Sequence, residues 1–478
     1  MFLHQIKYEW LQLTRDRWVT TLLVIFIGLC LFAASNGTKK TESRKAEIEA
    51  TLAVMTKSDI EHKANIDSVE RGLKTVEPWL NPRRLNFIGN RAPRVAAMEP
   101  ATLAFLSTGQ SDLFTHTSKP TLFGESYVLS FTELSNPVQL MFGSFDLAFV
   151  LLYLLPLLVL AFSYNLLSSE REQGSLRLTL SQPVSLYSWL LNKMLLRFSI
   201  MVGIVTCSLV LAFLFADIPI SQLFSSLLTI VPLVLFYILF WFAVALVVNA
   251  FGKSSGTNAV TIISIWVILV LLVPATISQL ASSLFPVPSR INMIHEMRIA
   301  KSEAEKEASK ILSSYYRDHP ELAQRDTTTK NQYEFYLGYF ASQDVVKKSV
   351  TPVLEDYQTK LDAQQAFVES FRFISPSLLI QDALNDVAGT SPRHYEAYRN
   401  QVVTFAEDWR SFFLPRMFKN EWMKQENFEK LPTFTFSYAK VKSTTVNDFA
   451  GLLLFALVTL GISSVVYLKF SKRVLVAS

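Results

Sequence analysis

The chain has 478 residues, half of them apolar, a mean hydropathy of +0.28 and a formal charge of +5. The charge is spread thinly, with no basic block dense enough to follow a phosphate backbone, so a nucleic-acid partner is excluded. The two cysteines, Cys30 and Cys207, both sit inside apolar runs, which excludes a disulfide framework for the polar parts of the chain.

Crossing a bilayer takes about 17–25 mostly apolar residues. Six runs qualify, near 18–35, 146–167, 198–216, 224–248, 259–281 and 449–468. Two long polar stretches, about 36–143 and 282–446, lie between them. The expected fold is mostly α, a polytopic membrane protein of six transmembrane helices with two sizeable water-facing domains.

Residues 1–17 read as an amphipathic helix, with Leu3, Ile6, Trp10 and Leu13 at helical spacing and Gln5, Lys7, Glu9, Gln12 and Asp16 on other faces. Basic residues and tryptophan suit a helix lying in the membrane interface. The run 18–35 has the flanks of a cleaved leader. The long patterned segment before it and five later runs favour a permanent first span.

Residues 36–143 open with a charged helical stretch, about Lys39 to Arg71. The half from Trp79 to Val138 is richer in Pro, Gly, Ser and Thr, and Ser126-Tyr127-Val128-Leu129-Ser130-Phe131 predicts a short strand. This first domain is expected to be mixed.

Residues 144–281 carry spans two to five. Span two has Asp146 at its outer edge, Pro156 in its middle and Asn165 near its inner end. A charge at membrane depth is a functional candidate by default, although Asp146 at the interface equally suits a helix cap. Pro156 predicts a bend, with neighbouring helices satisfying the freed backbone. The loop segment 168–192 follows. It runs through Glu170, Arg171, Glu172, Gly174, Ser175 and Arg177 to Gln182-Pro183-Val184-Ser185. Acidic residues suit the start of a short helix through its dipole, and proline stops that helix. The pattern reads as a short rigid helix on two hinges. A tight loop, 249–258, joins spans four and five.

Residues 282–446 contain two strongly helical charged stretches, Ile291 to Arg317 and about Gln343 to Arg372. Pro320, Pro352, Pro376 and Gly389-Thr390-Ser391-Pro392 punctuate them. A mainly helical domain of four or more helices is expected. Leu431 to Tyr438 alternates apolar and polar, like a short strand or an extended return to the membrane. Residues 447–468 form span six and 469–478 a tail.

Lys and Arg near span ends favour the cytoplasm. With the N-terminus inside, the pieces 1–17, 168–197, 249–258 and 469–478 hold eleven basic residues against Glu9, Asp16, Glu170 and Glu172. Both termini are therefore expected in the cytoplasm and both polar domains outside it.

No catalytic constellation emerges. Gly252-Lys253-Ser254 ends like a phosphate-binding loop, but the glycine required five positions before Gly252 is Val247, inside a span. His295-Glu296 opens like a zinc-protease motif, but the second ligand position holds Ile299. No enzyme activity, cofactor or metal is expected within this chain.

The order of acidic residues, Gly174, a short apolar-polar helix and Pro183-Val184-Ser185 between spans two and three resembles ABC-2-type transporter permeases. Asn136-Pro137, Gly143, Phe145-Asp146-Leu147-Ala148-Phe149, Tyr153-Leu154-Leu155-Pro156-Leu157, Phe285-Pro286-Val287-Pro288-Ser289-Arg290 and Ala388-Gly389-Thr390 are similar to a bacterial subfamily with two large extracytoplasmic insertions. The resemblance implies an inner-membrane exporter subunit paired with a second copy or a paralogue. It also implies a separate ATPase that holds the ATP and Mg. Residues 168–192 would be the coupling segment, with Glu170, Arg171, Glu172, Gly174, Ser175, Arg177, Gln182 and Pro183 facing the ATPase and residues 1–17 along the inner leaflet. Exchanging Glu170 and Glu172 for lysine should then uncouple the ATPase without loss of expression. The alternative function is a mechanotransmitter, which moves no cargo and uses the ATPase to act on an envelope partner through the outer domains.

Overall fold

The computed structural model describes residues 9, 11, 13, 15, 17–109, 111, 115–124, 144–176, 186–251, 253–287, 290–306, 317 and 332–477. Six of its helices are long and apolar enough to cross a bilayer, and the chain is a mostly α-helical multi-pass membrane protein. The strand expected at 126–131, the motifs Asn136-Pro137 and Gly143, and most of the helix expected at 1–17 lie outside the described residues.

Span one does not end where its apolar run ends. Helix α1 runs unbroken from Arg17 to Glu70, 54 residues. Between Asn36 and Glu70 there is no proline and a single glycine, and Lys, Glu and Ala favour a helix. The charged helical stretch expected from about Lys39 to Arg71 is thus continuous with the helix of span one. Gly37 permits a close crossing here: a Cβ would collide with the Phe105 carbonyl oxygen. Asn36 Nδ2 donates to the Phe145 carbonyl at 2.8 Å, and Lys40 Nζ to Ser144 Oγ at 2.6 Å, which fixes α1 to the head of span two.

Span two comprises α3 (Leu147–Phe149), a π turn (Val150–Leu154), α4 (Leu155–Ser163) and α5 (Ser168–Glu172). Asp146 caps it. Its carboxylate accepts from the Phe149 N–H at 2.9 Å and the Thr108 N–H at 2.8 Å, so it joins the first insertion to the span. Pro156 has no N–H for the Leu152 carbonyl one turn earlier. The Tyr237 hydroxyl of the neighbouring span donates to that carbonyl instead, at 3.0 Å. Tyr237→Phe is expected to cost about 1 kcal/mol, read as a lowered unfolding midpoint in detergent.

Span three is α6 (Leu186–Phe215) and span four is α7 (Ile220–Ala250). Span five combines α8 (Ser255–Trp266), a second π turn (Val267–Leu272) and α9 (Val273–Leu284). After it come α10 (Arg290–Lys306), α11 (Glu334–Phe371), α12 (Pro376–Val387), α13 (Pro392–Phe418), α14 (Gln425–Glu429) and α15 (Thr445–Ala477), the last containing span six.

Two apolar cores result. One lies among the spans and also takes in Phe105 and Leu106 of the first insertion and Leu379, Ile380 and Leu384 of α12. The other is made by both insertions together. Ile66 of α1, Leu85 and Ile88 of α2 (Leu85–Arg91) and Leu122 meet Tyr398, Val402, Trp409 and Phe413 of α13. Trp409 is fully buried, and its Nε1 donates to the Gly89 carbonyl at 3.0 Å. Ala388-Gly389-Thr390 sits where the insertions meet: the Thr390 hydroxyl donates to the Ser107 carbonyl at 3.0 Å.

The only strand pair among the described residues is two residues long, β1 (Ala96–Ala97) antiparallel to β2 (Thr117–Ser118). The stretch from Leu431 is an extended return, not a strand: Phe434 and Phe436 pack on the insertion core, and the Gln401 amide bonds both the N–H and the carbonyl of Ser437.

His116 beside β2 bears on acid stability. Burial, then the Arg44 charge, pushes its imidazole down to about 3, although the Ser111 carbonyl 2.9 Å from Nε2 works the other way. The folded state refuses a proton that the unfolded chain accepts near 6.5. Its contribution is therefore complete above about pH 6.5 and is lost progressively as pH falls toward 3. His116→Gln is expected to flatten the acid limb of the unfolding midpoint by close to one proton, measured between pH 7 and 4.

Candidate functional site at the loop face

The face of the bundle bearing the short connections 173–185 and 251–254 holds a buried polar network. Lys193 and Arg197 lie one turn apart near the head of span three, both under a tenth exposed. Charges that deep must be paired. Glu9 answers both: Arg197 reaches its Oε1 through Nη2 at 2.6 Å and Nε at 2.8 Å, and Lys193 Nζ lies 3.6 Å from Oε2. Glu170 supplies the second carboxylate, 3.1 Å from Lys193 Nζ. Arg197 Nη1 also donates to the Phe162 carbonyl and, at 3.3 Å, to Asn165 Oδ1. Two cations and two anions close on one another, and Lys193 also lies over the Trp189 ring.

A second set of bonds joins span two to spans four and five. Asn249 is fully buried and uses its whole amide. Nδ2 donates to the carbonyls of Ser163 at 3.0 Å and Ala245 at 2.8 Å; Oδ1 accepts from the Leu167 N–H and from Asn258 Nδ2, each at 3.3 Å. Glu172 reaches across to the start of α8, accepting from the Ser255 N–H at 2.7 Å and Oγ at 2.9 Å. A carboxylate at a helix N-terminus is favoured by the unpaired N–H groups and the dipole there.

The residues expected to form the coupling surface therefore divide. Glu170 is turned inward, with Ser175 Oγ donating to its carboxylate at 2.5 Å. Glu172 is exposed but engaged by Ser255. Arg171 and Gly174 face solvent, and Gly174 ends α5 at φ +74°, a left-handed position suited to glycine. Arg177, Gln182 and Pro183 lie outside the described residues. Asn165 joins the network through Arg197, whereas Asp146 and Pro156 are remote from it, at the head and middle of span two. Span three also begins earlier than its apolar run, so 186–192 belong to its helix rather than to the loop.

Sequence reasoning missed Glu9, Lys193, Arg197, Asn249, Ser255 and Asn258 as site residues. The helical spacing places Glu9 on a polar face, yet it is buried together with Leu13, one turn on. The basic residues were absorbed by the topology count; their four-residue spacing at the head of a span was the available signal. The lysine exchange at Glu170 also needs correction. It would set three cations against Glu9 alone, so it cannot leave the fold untouched.

Residues 290–437 match a family described as a domain of unknown function (DUF3526), from the first residue of α10 to the end of the extended return. No curated protein and no solved structure matches the chain. Among the described residues no group of three or more His, Cys, Asp or Glu side chains could hold a metal ion. What the loop face provides is a mechanical junction: one short segment bonded to the heads of spans three and five and, through Lys193, linked to Glu9.

Proposed function

We propose that the chain is the membrane-spanning subunit of an ATP-driven ABC-2-type exporter, with segment 168–192 riding on a separate ATPase. One observation carries the reading. The segment between spans two and three is bonded to the heads of spans three and five, and Lys193 of span three bridges its Glu170 to Glu9, so a force on it reaches several helices at once. Arg171 is the exposed cation of the described part of the segment, whereas Glu170 is turned inward. In this reading the chain sits in the bacterial inner membrane with both termini cytoplasmic and pairs with a second copy or a paralogue.

The test is co-purification in mild detergent with the ATPase encoded beside this chain, followed by ATPase assays with and without it. A stable complex with altered turnover supports the reading; a folded chain with no association removes it. Arg171→Glu is expected to weaken the complex about tenfold, read as a shift in the concentration needed for half-maximal stimulation.

The mechanotransmitter reading keeps a specific support. The two insertions share one core, and α1 belongs to both that core and the bundle. Export assays of the complex in vesicles separate the two readings.

A further inference from the structure

Span five is tied at three levels. At the loop face Ser254 caps α8, accepting from the Thr257 N–H at 3.3 Å, and Glu172 takes both the N–H and the hydroxyl of Ser255. Ser255 Oγ also meets Ser168 Oγ of span two at 2.8 Å. At mid-height the π turn ends against Pro274, which has no N–H to offer. The Leu269 carbonyl within that turn instead accepts from Ser375 Oγ at 2.6 Å and Ser377 Oγ at 3.0 Å. Both serines are buried at the start of α12, and the Ser375 hydroxyl also caps that helix. At the insertion face Gln364 of α11 donates to the Phe285 carbonyl at 2.6 Å, and the Phe285 and Phe367 rings lie 5.9 Å apart.

The helix is therefore fastened to the loop segment at one end and to the second insertion at the middle and other end. Val260, Ile268 and Leu272 of the span are about half exposed or more. An interrupted ladder at a π turn is also where a helix yields most readily.

We propose that span five carries motion from segment 168–192 to the insertion domain, engaged by Glu172 at the loop face and by Ser375 and Ser377 at its π turn. This rests on the ATPase-coupled reading above. Glu172 and the two serines are positioning residues in that path. Span six offers the competing route, since its Asp448 lies 3.4 Å from Arg372 of the second insertion.

The experiment is hydrogen–deuterium exchange on the complex of this chain with its ATPase, with and without a non-hydrolysable ATP analogue and Mg. In the wild type, residues 255–284 and 334–418 are expected to change exchange on adding nucleotide. In Ser375→Ala/Ser377→Ala the change in 334–418 is lost while ATPase stimulation and the response in 168–176 remain. In Glu172→Ala both 255–284 and 334–418 fall silent while 168–176 still responds. Glu172 is exposed, so this variant carries the test if the serine pair fails to fold. A wild-type response in 334–418 from either folded variant overturns the path, as does a stimulated wild type whose 334–418 never responds. Loss of the complex in Glu172→Ala would place that residue against the ATPase and overturn its role as a latch. Failure of the wild-type chain to associate removes the exporter reading itself, and is seen before any variant is made.

Discussion

Replacing Arg197 with methionine is expected to be the most damaging single change at the loop face, costing about 3–5 kcal/mol, because it leaves a buried carboxylate without its main partner. Glu9 receives two of its bonds from that one guanidinium. Lys193 cannot replace it, since it lies farther from Glu9 and is shared with Glu170. The measurement is the yield and unfolding midpoint of Arg197→Met in detergent, beside Glu9→Gln/Arg197→Met. The double variant is expected to recover part of the loss, since neither partner is then left as an unpaired charge. Recovery stays partial because the Phe162 carbonyl and Asn165 also lose a donor. A wild-type midpoint in Arg197→Met would show that the cluster does not hold the loop face together.

Trp409→Ala is expected to cost about 3–5 kcal/mol as well, and to do so only in the insertion domain. Trp409 is fully buried where the two insertions meet, against Phe413 with ring centroids 5.0 Å apart, and it holds the Gly89 carbonyl. Limited proteolysis should cut within 334–437 in the variant while the spans resist. Trp409→Phe keeps most of the volume and loses the single hydrogen bond, so about 1 kcal/mol is expected. Equal protection of Trp409→Ala and wild type would mean that the shared core is not what keeps the insertions folded.

The spans were legible because twenty apolar residues in a row leave little choice of environment. Their ends were not. Span one continues to Glu70 because nothing between Asn36 and Glu70 stops a helix, and hydropathy reports only where the oil ends. The pairing of the insertions was out of reach because Trp409 and Gly89 are 320 positions apart and nothing local to either marks the other. At the loop face the acidic residues of 168–192 could be picked out, but their partners could not. Lys193 and Arg197 had another sufficient explanation in the topology rule, and Ser255 belongs to a loop with no charge pattern of its own. Pro156 by itself predicts a bend whose freed backbone a neighbour satisfies; that the donor is Tyr237 follows only from the packing of span four.

Helix α1 has a geometric consequence. At about 1.5 Å per residue its 54 residues extend for about 81 Å, against about 30 Å for the hydrocarbon thickness of a bilayer. The stretch from Asn36 to Glu70 accounts for about 52 Å of that length. Tilting the helix by about 10° within the membrane would sweep its far end through about 9 Å. An angular change too small to open a path between helices thus becomes a displacement as wide as a helix at the tip, where Ile66 enters the core shared by both insertions.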